Sequence, residues 1–194
     1  METIKIQSLE KYYRDKSLFK PVNLEISHHE RLAVLGPSGR GKTTFLKIVA
    51  GLVKPTFGRI DIPKDHTISM VFQENLLLEG FHGVDNIKSV VNWKEERILS
   101  WLQKLSLEKD GYQFVHNYSG GMKRRLALLR ALAVKPRILL LDEAFREVDE
   151  RNKNAMVDLV LSEMENKILI FTTHDNNDLK MLKPTKCLEL EECE

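Results

Sequence analysis

Apolar and polar residues alternate over residues 3–6 and 22–26, which predicts two half-buried strands. Arg31–Leu35 (RLAVL) is a third, more apolar strand that runs straight into a glycine-rich stretch. Residues 43–50 (TTFLKIVA) carry apolar side chains at helical spacing, and Gly51 supplies a stop. Residues 58–62 and 68–72 predict two more strands. From 75 to about 116 the pattern changes: Ile87, Val90, Val91, Ile98, Trp101, Leu102 and Leu105 recur at helical intervals, which predicts a small helical subdomain. Alternation of element types then returns, with a helix to about residue 134, a strand at 138–141, a helix near 150–164 and a strand at 167–171. A short helix and a strand at 187–190 close the pattern. Strands alternating with helices predict an α/β fold with a parallel core.

Composition changes this picture little. The 194 residues, 42% hydrophobic and 30% charged, suit one soluble globular domain. No apolar run reaches the roughly 18–20 residues of a membrane span, and the N-terminus has no signal-peptide pattern. Cys187 and Cys193 fit neither a zinc site nor a disulfide framework, which leads to the expectation of a reducing, cytosolic compartment. A formal charge of +2 gives no support to nucleic-acid binding. The acidic tail reads as a solvated end, and no internal repeat occurs.

Two segments carry chemistry. Gly36-Pro37-Ser38-Gly39-Arg40-Gly41-Lys42-Thr43, followed by Thr44, matches the phosphate-loop pattern G-x-x-x-x-G-K-[ST] between a strand and a helix. Glycines let successive backbone N–H groups point at a phosphate, and the helix start adds positive potential. Lys42 is expected to bridge the β- and γ-phosphates of ATP and Thr43 to ligate Mg²⁺. The run 138–141 ends in Asp142 and Glu143; buried carboxylates at such a strand end need a cation or a proton-transfer task. Asp142 is read as the Mg²⁺ partner and Glu143 as the base that polarises the attacking water. Kinases, GTPases and other ATPases all remain open on these two motifs, although the guanine motif N-K-x-D is absent.

Tyr118-Ser119-Gly120-Gly121-Met122 resembles the LSGGQ signature of ATP-binding cassette (ABC) proteins, and Lys123 to Leu132 resembles its continuation. Gln73 after an apolar strand resembles the family's Q-loop glutamine, Asp149 its D-loop aspartate, His174 its switch histidine, and Tyr13 its adenine-stacking aromatic residue. The resemblance covers nearly the whole chain. It implies a P-loop ABC ATPase fold with a mixed core sheet, an N-terminal antiparallel subdomain and a helical subdomain. The core would span about 1–74 and 117–194, with the helical part about 75–116. It further implies that Gln73 and His174 join Glu143 in catalysis, that Gln73 also ligates the metal, and that Tyr13, Ser119, Gly120, Gly121 and Asp149 meet nucleotide. Ser119–Gly121 would face the γ-phosphate of the opposite subunit in a dimer of identical or related cassettes. The implied partners are integral membrane permease subunits, with or without a solute-binding protein. The implied location is the cytoplasmic face of the cell membrane.

At the helix start, Lys123, Arg124 and Arg125 crowd a turn where the macrodipole disfavours cations, so an arriving polyphosphate would relieve the conflict; a solvated basic face is the alternative for Arg124. Trp93 and Trp101 read as helix packing, and His28, His29, His66, His82 and His116 are given no role. The departures are Met122 for the signature glutamine, Ala144 for the usual proline, and Phe145-Arg146-Glu147-Val148 for the common Leu-Ser-Ala-Leu. No C-terminal regulatory domain is expected. Transport, weakly toward import from the residues 72–78, is the leading expectation; a soluble, non-transport ABC ATPase is the alternative.

Overall fold

Strands in chain order are β1 (Thr3–Glu10), β2 (Tyr12–Tyr13), β3 (Lys16–Ser17), β4 (Val22–Ser27), β5 (Arg31–Leu35), β6 (Phe57–Asp61), β7 (Ile68–Val71), β8 (Ile138–Asp142), β9 (Ile168–Thr172) and β10 (Lys186–Glu189). Helices are α1 (Lys42–Val49), α2 (Gly83–Lys88), α3 (Glu95–Gln103), α4 (Gly120–Ala133), α5 (Glu150–Glu163) and α6 (Asn176–Leu182). The computed structural model describes residues 3–14 and 16–191, so Cys193 lies outside the described residues.

β8 (ILLLD) and β9 (ILIFT) are buried at every position, as strands covered on both faces require. They sit in a five-stranded parallel sheet of order β10-β5-β9-β8-β7. The half-polar strands β4, β1 and β6 form a separate antiparallel sheet. The mixture of pairings expected of the core is thus divided between two sheets. β2 and β3 form a two-stranded ribbon that the sequence reading did not anticipate, because two-residue strands carry no period.

Residues of β8 alternate between two apolar clusters. Leu139 and Leu141 join α2 to α5 in one, and Ile138 and Leu140 join α1 and the antiparallel sheet in the other. Residues of the helical segment 83–118, including Ile87, Ile98, Leu102 and Val115, belong to the same cluster as α4 and that sheet face. Of the apolar positions read at helical intervals there, Val90 and Val91 fall past the end of α2 and Leu105 past the end of α3, and Val90 is exposed. Trp93 and Trp101 pack edge to face at 5.6 Å. Trp101 also donates its indole N–H to the Leu129 carbonyl at 2.9 Å, which anchors α3 on α4.

The parallel arrangement brings the loops after β5, β7, β8 and β9 to one edge, where ligands of open α/β sheets bind.

Candidate functional site

After β5 the chain turns through Gly36, Gly39 and Gly41, with φ of 135°, 78° and 82°. A side chain at Gly36 would bring a Cβ to 3.0 Å from the Leu190 carbonyl oxygen, so the tight wrap needs glycine there. Gly41 caps α1 with no side-chain hydrogen bond, which leaves the first N–H groups of the helix open to an anion. Lys42 is 7% exposed and bridges the loop, donating to the carbonyls of Gly36 at 2.7 Å and Pro37 at 2.9 Å. Burial pulls its ammonium pKa down, and the nearby Glu143 and Asp142 carboxylates oppose that shift. A buried lysine satisfied only by carbonyls is suited to exchange them for phosphate oxygens.

Asp142, at the end of β8, is 2% exposed. Its Oδ1 accepts from the Thr172 hydroxyl at 2.8 Å, while Oδ2 is buried with no hydrogen-bond partner. An orphaned carboxylate oxygen is costly, and a hard divalent cation held by oxygen ligands and water would satisfy it. The donor set of Asp142 and the Thr43 hydroxyl therefore fits Mg²⁺. Among the described residues no group of three or more His, Cys, Asp or Glu side chains could hold a metal alone. That suits an ion delivered with a polyphosphate.

Glu143 has φ of 48°, an uncommon left-handed conformation for a side-chain-bearing residue. Its backbone N–H reaches Thr172 on β9, at 3.1 Å to the hydroxyl and 3.3 Å to the carbonyl. The carboxylate is then flanked by an imidazole and a guanidinium: His174 Nε2 lies 3.2 Å from Oε1, and Arg146 lies 3.4 Å from Oε2.

One cavity of about 890 Å³ is lined by Tyr13, Ser38, Gly39, Gly41, Lys42, Thr43, Thr44, Gln73, Glu143 and His174 among others. Of the residues singled out in the sequence, Gly36, Pro37, Arg40, Asp142, Ser119, Gly120, Gly121 and Asp149 do not line it. Gly36 and Pro37 serve it through Lys42, and Asp142 sits beneath it. Tyr13 is 52% exposed, with the Lys11 ammonium 5.1 Å from its ring centre. Asp149 caps α5, accepting from Asn152 N–H at 3.1 Å and its side-chain amide at 2.6 Å. Ser119 caps α4, accepting from Met122 N–H at 3.2 Å. Gly120 faces open space.

The three cations after Ser119 correct the sequence reading: no incoming anion is needed to relieve them. Lys123 pairs with Glu79 at 2.7 Å. Arg124, 7% exposed, donates to the carbonyls of Phe72 and Gln73, each at 2.9 Å. Arg125 donates to the Leu105 carbonyl at 2.6 Å and to that of Gly121 at 3.4 Å. Arg124 thus ties α4 to the segment carrying Gln73.

Sequence reasoning missed a support behind His174. Lys153 binds Asp175 at 2.8 Å and Asp178 at 2.9 Å, and the Thr173 hydroxyl donates to Asp178 at 2.6 Å. Burial works against the Lys153 ammonium, but the two carboxylates outweigh it and raise its pKa. The sequence reading gave Lys153 no role; the signal that could have found it was Asp175 and Asp178 one helical turn apart.

Comparison with known proteins fits this geometry. The family model described as "ABC transporter" matches residues 19–146. The chain is 33% identical over 197 residues to a Salmonella typhimurium protein named for 2-aminoethylphosphonate import and ATP binding, covering 90% of this chain and 53% of that protein. It is also 33% identical over 195 residues to a Chlorella vulgaris protein named for sulfate/thiosulfate import and ATP binding, covering 91% and 82%. The chain therefore spans about half the length of the first of these relatives. Among solved structures it matches a dimeric ATP-binding cassette in a post-hydrolysis state bound to ADP and Pi, with a TM-score of 0.83, 28% identity, and coverage of 97% of this chain and 94% of that one.

Proposed function

The chain belongs to the ABC transporter family, and on that premise we propose that it binds Mg·ATP in the cavity at the strand ends and hydrolyses it. The observation that carries this reading is the buried, half-satisfied Asp142 under Lys42, beside a Glu143 carboxylate aimed into the same cavity. Lys42 exchanges the Gly36 and Pro37 carbonyls for the β- and γ-phosphates, the open N–H groups of α1 hold phosphate oxygens, and Tyr13 stacks on the base. Asp142 and Thr43, with Gln73, would hold Mg²⁺, which when bound would neutralise phosphate charge. Glu143 accepts a proton as water attacks the γ-phosphorus, and the bond to the bridging oxygen breaks to release ADP. His174 contacts the γ-phosphate.

Ser119–Gly121 and Asp149 lie off the cavity of their own chain, which favours a second cassette that presents the same loop across a two-fold axis. The neighbouring surface favours a membrane permease as the coupled partner. Leu76, Leu78 and Phe81 are 57%, 42% and 56% exposed, an apolar cluster unusual for open solvent. The fully buried Asn86 pins their loop, accepting from Leu78 N–H at 2.9 Å and donating to the carbonyls of Leu78 and His82. Among the described residues no helix is long and apolar enough to cross a membrane, so the permease is a separate component or a separate part of the protein. Import of a small solute, driven by a cassette at the cytoplasmic face, is the direction the named relatives favour.

Glu143→Gln tests the chemistry. ATP should still bind, turnover should fall by roughly 10²-fold or more, and an ATP-bound dimer should accumulate in light scattering. Hydrolysis at the wild-type rate would remove Glu143 from its role.

A further inference from the structure

The residue three places after Glu143 is an arginine where the family resemblance gives no charge. Arg146 N–H bonds the Glu143 carbonyl at 3.2 Å, closing a turn that sets the two side chains side by side. Ala144 and Phe145 between them are 1% and 2% exposed, so the turn is anchored in the apolar interior. Both charged ends are left on the cavity wall. The guanidinium lies 3.4 Å from Glu143 Oε2 and 3.6 Å from Glu147 Oε1, so it has a carboxylate on each side.

Arg146 is 57% exposed at its side chain, whereas Glu143 is 16% exposed. An ion pair that wet contributes little to folding. Its effect is on orientation. In this structure both oxygens of Glu143 are engaged, Oε1 by His174 and Oε2 by Arg146. We propose that Arg146 is a positioning residue for Glu143: its guanidinium holds Oε2 when His174 turns to the γ-phosphate, so that Oε1 alone is left facing the attacking water. The inference rests on the reading of Glu143 as the base. A carboxylate held at one oxygen keeps its acceptor in line, and a carboxylate released at both rotates, a loss of alignment worth about tenfold in rate.

Steady-state ATPase measurements on the full chain test this. Arg146→Ala should lower kcat about tenfold and leave the KM for ATP within about twofold, because ground-state binding does not use the pair. Arg146→Lys should recover much of the loss, and the thermal midpoint should be unchanged in both variants. The decisive readout is the double-mutant cycle in single-turnover assays: in a Glu143→Gln background, Arg146→Ala should cost nothing further. An unchanged kcat in Arg146→Ala, an equal loss in both backgrounds, or a rise in KM alone would each overturn the proposal. If Glu143→Gln is slow while Arg146→Ala is fully active, the positioning role alone falls. If Glu143→Gln is fully active, the reading of Glu143 falls and this inference with it.

Discussion

Replacing Arg124 by methionine keeps most of the packing of the aliphatic stem and removes the two bonds that join α4 to Phe72 and Gln73. Hydrogen bonds from a charged donor contribute about 1.5–3 kcal/mol each, so the gross loss is about 3–6 kcal/mol. Two effects reduce it. Burial lowers the guanidinium pKa, the sign of a desolvation cost that disappears with the charge. The Gln73 residue is exposed and Phe72 half-buried, so the freed carbonyls regain water. The net is about 2 kcal/mol, equivalent to a Tm lower by about 4–8 °C for a chain of this size. Calorimetry gives the Tm, and hydrogen exchange should show faster opening at residues 72–74 than elsewhere. Arg124→Lys, which cannot make the same forked contact, should fall between the two. A midpoint within 1 °C of wild type, by this ~1 °C criterion, with unchanged exchange at 72–74 would refute the clamp.

Two further outcomes follow from buried groups. Lys42→Ala should weaken ATP binding on the order of 10²-fold, about 2.7 kcal/mol, because the substituted loop offers carbonyls but no cation; equal affinity by calorimetric titration would contradict the phosphate role. Burial, the largest cause, raises the Tyr118 hydroxyl pKa to about 12, helped by Asp110 and opposed by Arg125. An acid with a raised folded pKa keeps its proton in the folded chain while the unfolded chain loses it above about pH 10. Stability should therefore fall between about pH 10 and 12, with a shallower slope in Tyr118→Phe; parallel slopes for the two proteins would count against it.

Much of this was legible in the sequence because the relevant signals are local. The strand Arg31–Leu35 matches β5 at both ends, and the phosphate loop and the Asp142-Glu143 pair lie at strand ends that a period and a boundary define. What stayed hidden was set by partners far along the chain. Arg124 finds its carbonyls 52 and 51 residues away, and Asp142 finds Thr172 30 residues away. A run of Lys-Arg-Arg carries no mark of which member will be buried. Val90 kept the helical spacing but lost its helix, since α2 ends at Lys88 and spacing alone does not fix a terminus.

β8 separates the two apolar clusters with single residues, Leu139 and Leu141 to one side and Ile138 and Leu140 to the other. Neighbouring codons of one five-residue strand are therefore answerable to different surroundings. Substitutions at 139 and 141 should be compensated among the helices, and those at 138 and 140 on α1 and the antiparallel strands. Asp142, at the end of the same strand, belongs to neither cluster and answers instead to the Thr172 hydroxyl on β9.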